Sequence, residues 1–374
     1  MCCFAVKSAI SLNISNAYMF IREIELLMVH FIKCKAQIII LLFLLIFIFS
    51  GCRPENEEII YERTGYALGT VNKIKIFDHG SEELLNVLFD RLNDIENKMS
   101  VNIEDSEVST INKNAGVKPT KVSKETFGLI KKAVSFGELS RGAFDISLGP
   151  VIKLWGIGTE NQRVPDKWEI TKAVQLTGYK KIIIDSENQS IFLKDQGMGL
   201  DLGGIAKGYA ADEIKGILKE NNIKSAIIDL GGNIIVHGKK TDGTEWKVGI
   251  QNPYRERNDY LGVLNVSDKT IVTSGAYERF FIKDDVKYHH IFDGKTGYPC
   301  DNEVLAVTIV ADISEDADAL STACFVLGVD DGMKLIDSLP GTGCIFVTKD
   351  NNIYISKELK DKFQLTSDLF TANG

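Results

Sequence analysis

Cysteine is scarce and poorly placed for bridging. Seven occur in 374 residues, but Cys2, Cys3, Cys34 and Cys52 crowd the first 52 positions. Only Cys300, Cys324 and Cys344 remain, an odd number without a C-x-x-C pair. A disulfide framework is therefore not supported, and Cys324, inside an apolar helical pattern, reads as a buried, inert thiol. Prolines number seven, and no Pro-, Ser- or Gly-rich stretch divides residues 58 to 370, so that region is predicted to be one domain. No Lys/Arg-rich stripe interrupts a chain of formal charge −8, which disfavours a nucleic-acid role. No apolar run reaches the roughly 20 residues that a membrane-spanning helix needs. The longest, residues 38–50 (IIILLFLLIFIFS), stops at 13.

That short run carries information of its own. Lys33 and Lys35 precede it, and Phe49-Ser50-Gly51-Cys52 then a polar RPENEE follow. A basic region, a short apolar region and small residues before a cysteine describe a bacterial lipoprotein signal. Phe49 departs from the pattern, which usually has leucine there, and Met28 is an alternative start. The expectation is a removed segment 1–51, a lipid on Cys52, a tether over 52–60 and a domain over 61–370. The protein would then sit on the extracytoplasmic face of the cell membrane. An ordinary signal peptide is the plainer alternative. The leader holds Lys7, Arg22, Lys33 and Lys35 against Glu23 and Glu25, so the remainder is two charges more acidic than the whole.

Alternating apolar stretches at Val71–Phe77, Lys181–Ile184, Ala226–Leu230, Trp246–Ile250 and Ala306–Val310 predict strands, gathered mainly in the second half. Ser81 is a fitting cap for a helix with Leu84, Leu88, Leu92, Ile95 and Met99 on one face, and Ser123 for another with Phe127, Ile130 and Val134. The class is α+β.

Four segments carry groups suited to chemistry. In Asp201-Leu-Gly-Gly-Ile-Ala-Lys207-Gly208, a strand is expected to end near Asp201. Two glycines at a strand-to-helix turn let backbone approach a ligand, and helix-start amides with Lys207 can receive an anion. Neither a dinucleotide fingerprint nor a P-loop is present, and a purely structural turn remains the commoner use. Asp229-Leu-Gly-Gly repeats the turn and is also expected to follow a strand. In Ser314–Gly328, Ser314 suits a cap and Gly328 a stop. Asp318 and Thr322 share one helical edge, with Ser321 beside them. Hard oxygens without His or Cys suit magnesium better than zinc, unless the edge merely faces solvent. Thr273–Phe281 leads to His289-His290-Ile291-Phe292-Asp293-Gly-Lys-Thr-Gly-Tyr-Pro299, which holds two of the five histidines. Such a loop can place an imidazole near a ligand, or be a hairpin turn with a surface histidine. Gly142-Ala-Phe-Asp145 leads to Trp155. Phe144 and Trp155 could flank a planar ring, though aromatics beside glycine turns are more often core.

Taken in this order, with Ala67-Leu68-Gly69-Thr70, Met99-Ser100, Gly249-Ile-Gln-Asn-Pro253 and Asp318-Ala-Leu-Ser-Thr322, the motifs resemble the ApbE family, the FAD:protein FMN transferases. The resemblance implies a single α+β domain, related to T-fold-like sheets packed with helices. It implies that Asp318, Thr322 and the Gly204 carbonyl, with Ser321, ligate Mg2+. Leu68, Ala143, Phe144, Asp145, Asp201, Lys207 and Ile291 would line a site for FAD as substrate, with His290 beside the reacting phosphates. The partners it implies are acceptor flavoprotein subunits of redox-pump type, with FMN joined to a Thr or Ser hydroxyl and AMP released. Ala276 stands where the family often has Asp. An FAD pyrophosphatase and a non-catalytic flavin-binding lipoprotein are the alternatives.

Overall fold

A computed structural model of the chain describes residues 2–49, 60–255 and 259–373. It divides into two compact units, Met1–Glu57 and Glu58–Gly374. In the first, helix α1 (Cys2–Phe49) is the described element. Among the described residues no helix is long and apolar enough to cross a membrane. The run 38–50 lies partly outside the residues whose side chains are described, and Cys52 wholly so.

The second unit opens with β1 (Tyr61–Ala67) and β2 (Thr70–Ile76), then α2 (Glu82–Met99), α3 (Glu107–Lys113), β3 (Thr120–Lys121), α4 (Lys124–Leu139), α5 (Gly149–Trp155) and α6 (Lys167–Gln175). There follow β4 (Ile182–Asp185), β5 (Ser190–Leu193), α7 (Ala206–Glu220), β6 (Ser225–Leu230), β7 (Asn233–Gly238), β8 (Trp246–Gln251), β9 (Tyr260–Val266) and β10 (Lys269–Gly275). The chain closes with β11 (Phe280–Lys283), β12 (Val286–His289), β13 (Val304–Ala311), α8 (Ser314–Asp337), β14 (Gly343–Thr348), β15 (Asn352–Ile355), β16 (Phe363–Leu365) and β17 (Thr371–Asn373).

Nine strands form the main sheet, in the order β1-β2-β6-β7-β10-β13-β14-β15-β17. Its pairs are antiparallel except β15 with β17. Side-chain period two explains why its middle is apolar on both faces. Ile235, Val272, Ile309 and Phe346 face the core beneath the helices. Their neighbours Val236, Ile271, Val310 and Ile345 face the other way, onto Trp246, Val248 and Leu264 of the small sheet β16-β9-β8. The layers are helices, large sheet, small sheet, so the α+β class holds. Ser81 and Ser123 cap α2 and α4 as expected, accepting from Leu84 N and Thr126 N. The buried stripe of α2 includes Leu88, Leu92, Ile95 and Met99.

Helices α7 and α8 cap each other, and this arrangement positions the site. Neither has a capping side chain of its own. Asp212 of α7 accepts from Ser314 N at 3.0 Å and Glu315 N at 2.8 Å, the first amides of α8. In return Asp318 of α8 accepts from Gly208 N of α7 at 2.9 Å. Ser314, expected to cap α8, instead donates its hydroxyl to Asn233 at 2.7 Å and receives one from Thr270 at 2.9 Å. Sequence proximity favoured Ser314, but tertiary packing supplied a charged cap suited to a helix start. Asp212→Ala is expected to cost about 1–2 kcal/mol, as for lost helix caps. A lower urea midpoint at unchanged slope would show it.

Gly328 does not stop α8. It adopts φ 80°, ψ 179°, and the helix resumes after the kink to Asp337. Glu303 accepts from Val329 N at 2.9 Å, which restarts the helix with a fresh cap.

Candidate active site

The centre is the edge of α8 that faces the start of α7. Asp318 is 3% exposed. Its Oδ2 holds Gly208 N, and its Oδ1 stands 3.3 Å from Lys207 Nζ. One turn on, Ser321 is buried and donates to the Asp318 carbonyl at 2.9 Å. Ser274, at the end of β10, lies 2.8 Å from Ser321 Oγ and 3.4 Å from Thr322 Oγ1. A Cβ on Gly204 would sit 3.5 Å from Thr322 Oγ1 and 3.1 Å from Phe144. Gly204 therefore lies directly against the hydroxyl of Thr322.

These donors fit a hard divalent cation. One carboxylate and the neighbouring hydroxyls, with Gly204 against Thr322, form an all-oxygen set of the kind magnesium prefers. Among the described residues no group of three or more His, Cys, Asp or Glu gathers into a metal cluster.

The turn preceding α7 differs from expectation. No strand ends at Asp201; the segment makes a single parallel bridge, Gly199 with Leu148. Asp201 N donates to Ile146 O at 2.8 Å. Asn112 grips both sides of Leu200, donating to its carbonyl at 3.0 Å and accepting from its amide at 2.7 Å. A side chain thus satisfies backbone that a neighbouring strand would otherwise pair. Asp201 Oδ1 closes a small turn on Gly203 N at 2.7 Å. The repeat at Asp229 does end a strand, but in a hairpin where Asp229 receives Gly232 N at 2.8 Å. Helix-start amides expected to meet an anion are in part taken: Gly208 N by Asp318, Ala206 N by the Leu202 carbonyl.

The Gly-Ala-Phe-Asp segment runs beside this turn. Asp145 has no free oxygen, since Oδ1 binds Ser147 N and Oγ at 2.8 and 2.6 Å and Oδ2 binds Tyr179 N at 2.9 Å. Ala143 is half-buried and donates its amide to the Ser140 carbonyl. Phe144 is buried edge-on to Phe136, and Trp155 is fully buried with its indole N–H on the Gly297 carbonyl at 2.9 Å. Both rings are core, so neither offers an open face to a planar ligand.

Two loops complete the surroundings. Leu68 sits at φ 55° and Gly69 at φ 68° between β1 and β2. A bulky residue in the left-handed region is costly and marks a constrained turn. His289 ends β12, buried, with Nε2 on the Cys300 carbonyl at 3.0 Å. His290 follows, with its amide and Nδ1 both on the Arg279 carbonyl, at 3.1 and 3.2 Å. Burial, with Arg279, His289 and Lys207 nearby, pushes His290 down to about 4. Ile291 is buried beside it, its carbonyl receiving Cys300 N. Burial also raises the Asp201 carboxyl, against the pull of the Gly203 amide and of Arg279.

A profile of the ApbE family matches residues 68–346. This chain belongs to the ApbE family. A FAD:protein FMN transferase of Klebsiella pneumoniae (strain 342) is 36% identical over 308 residues, 82% of this chain and 95% of the relative. One of Treponema pallidum (strain Nichols) is 35% identical over 332 residues, 84% of this chain and 91% of the relative. The crystal structure of the ApbE protein of Thermotoga maritima superposes with TM-score 0.74 at 35% identity, covering 80% of this chain and 98% of that one. The flavin transferase ApbE of Vibrio cholerae also gives 0.74, at 28% identity, covering 81% and 99%.

In this ApbE chain the fold gathers Asp318, Ser321, Thr322, Gly204 and Lys207 through pairwise contacts, Lys207 and Ser321 to Asp318, and Gly204 to Thr322. His290 lies within electrostatic reach of Lys207. Leu68 and Ile291 belong to the loops around them. Residue-level reading missed Ser274, Asp212 and Asn112. Ser274 lay inside the Thr273–Phe281 segment and Asp212 four residues beyond Gly208, whereas nothing in the sequence marks Asn112.

Proposed function

We propose that this ApbE-family chain is a FAD:protein FMN transferase, which moves FMN from FAD to a Thr or Ser hydroxyl of an acceptor flavoprotein and releases AMP. The observation that carries the reading is the contact of the Asp318–Thr322 edge with the Gly204–Gly208 turn, which the reciprocal helix caps hold in place. The curated relatives bear this activity in their names. Mg2+ would be held by Asp318, Thr322, the Gly204 carbonyl and Ser321, and when bound it would neutralise charge on the diphosphate oxygens. Leu68, Ala143, Phe144, Asp145, Asp201, Lys207 and Ile291 form the proposed FAD surroundings. Asp145 and Phe144 act there by shaping backbone, since their own groups are engaged or buried.

The histidine has a definite protonation. A carbonyl only accepts, so Nδ1 of His290 carries the hydrogen and Nε2 keeps its lone pair. The acceptor O–H gives its proton to Nε2 as its oxygen bonds to the FMN phosphorus. The P–O bond to AMP breaks, and AMP leaves with that electron pair. Lys207 orients the anionic substrate. A base works only while neutral, so activity is held above the histidine's pKa and lost as pH falls through it. Its acid limb in kcat/KM is expected near pH 4. His290→Gln is expected to slow transfer about 10²–10³-fold, in the range for a lost general base. An acid limb that persists unchanged in His290→Gln, in a profile from about pH 3 to 8, would contradict the assignment.

The lipid on Cys52, the extracytoplasmic face and acceptors of redox-pump type complete the proposal, supported by the signal-like pattern of residues 33–52. The test is to incubate the protein with FAD, Mg2+ and a candidate acceptor, then follow in-gel flavin fluorescence and AMP. AMP with free FMN would instead indicate a pyrophosphatase, and bound FAD without AMP a carrier.

A further inference from the structure

Arg279 occupies the junction of the site's loops. It precedes β11, and its side chain crosses to the β1–β2 turn, where Nη2 donates to the Gly69 carbonyl at 3.4 Å. Its Cδ lies 3.9 Å from where a Cβ of Gly158 would stand, beyond α5. Its own carbonyl fixes His290 through two hydrogen bonds. Its charge acts on both Asp201 and His290.

The guanidinium is under-used. It has five donors in a fork suited to two oxygens of one anion. Among the described residues it makes one hydrogen bond, at the long limit for such a contact, and no salt bridge. Two arginines elsewhere in the domain show what a matched guanidinium looks like. Arg163 grips Glu169 with two contacts of 2.7 Å, and Arg91 holds Glu213 at 2.7 Å along with Glu125 and Asp94. An exposed arginine with nothing to bind is ordinary. This one differs in that its backbone sets the histidine tautomer while its head stands at Gly69 and acts electrostatically on Asp201.

We propose that Arg279 is a phosphate-binding residue of the site: its guanidinium leaves the Gly69 carbonyl and takes two non-bridging oxygens of the FAD diphosphate. The inference rests on the FMN-transfer reading for its ligand. It gives the site a second cation besides Lys207, and one not already committed to a carboxylate. It also makes the β1–β2 turn responsive to substrate, because Gly69 exchanges its partner when the diphosphate arrives.

The experiment uses the full chain as wild type, R279A, R279Q and R279K. Binding of FAD and of riboflavin is followed by flavin fluorescence in chelator, so that no chemistry intervenes, and transfer is followed with Mg2+ and acceptor. R279A and R279Q are expected to weaken FAD about 10- to 100-fold, the loss typical of hydrogen bonds to a charged group, and to leave riboflavin unchanged. R279K should recover part of the FAD affinity, since it keeps the charge and loses the fork. Unchanged FAD affinity in R279A would overturn the proposal. Equal losses for FAD and riboflavin would overturn it too, because they would show a packing role. If the wild type itself yields neither AMP nor labelled acceptor, the transferase reading fails, while the FAD and riboflavin comparison still decides Arg279.

Discussion

Asp318→Asn is expected to slow FMN transfer by at least about 10³-fold while the protein stays folded. The estimate follows from the several kcal/mol that a metal-held charge contributes to a phosphoryl transition state, each 1.36 kcal/mol being tenfold. Asparagine keeps an oxygen for Gly208 N, so the junction of α7 with α8 survives in outline. It removes the negative charge and turns an amide group toward Lys207, whose ammonium already stands 3.3 Å away. Both effects weaken the grip on a divalent cation. Single-turnover labelling of an acceptor at saturating FAD, with AMP measured in parallel, reports the chemical step. The Mg2+ concentration for half-maximal rate should rise as well. A variant that transfers at the wild-type rate would remove Asp318 from the chemistry.

Gly208→Ala is expected to damage stability and activity together. A Cβ there would lie 2.3 Å from the Ser314 carbonyl oxygen and 2.7 Å from Glu315 Cα, both backbone of the first turn of α8. Backbone cannot rotate aside, so the helices must part. The cost should reach about 3 kcal/mol, the upper end for overpacking, and lower Tm by roughly 5–10 °C. Separation also lengthens the Gly208 N to Asp318 bond, so the Asp318 carboxylate moves with it. Gly216→Ala, in the same helix with nothing within 4 Å of its Cβ, is the internal control. It should stabilise by about 0.5–1 kcal/mol through helix propensity. Equal melting points for the two variants would refute the close-approach argument.

Local features were the most legible part of the molecule. Ser81, Ser123, the apolar stripes of α2 and α4, and the strands around Val71, Ala226, Trp246 and Ala306 follow from periodicity and capping, which act within a few residues. Asp318 and Thr322 were legible because helical spacing puts them on one edge. What escaped depends on partners distant in sequence. Ser314 looked like a cap, but Asp212 arrives from another helix. Gly328 looked like a terminus, but Glu303 offers the next turn a carboxylate. The expected strand before Asp201 is replaced by Asn112, a side chain imitating a neighbouring strand. Asp145 looked available to a ligand, yet folding spends its oxygens on Ser147 and Tyr179.

The strand order of the large sheet bears on how the molecule comes into being. β2 meets β6 across the whole helical half, Ile74 opposite Ile228, and the two margins of the sheet are drawn from opposite ends of the sequence. Long loops must close before such pairings give anything back, which sets refolding on the scale of roughly seconds, not microseconds. A chain emerging in order from a ribosome would hold β2 with one flank bare until β6 followed. During that interval the bare flank is the place where two nascent copies would stick together.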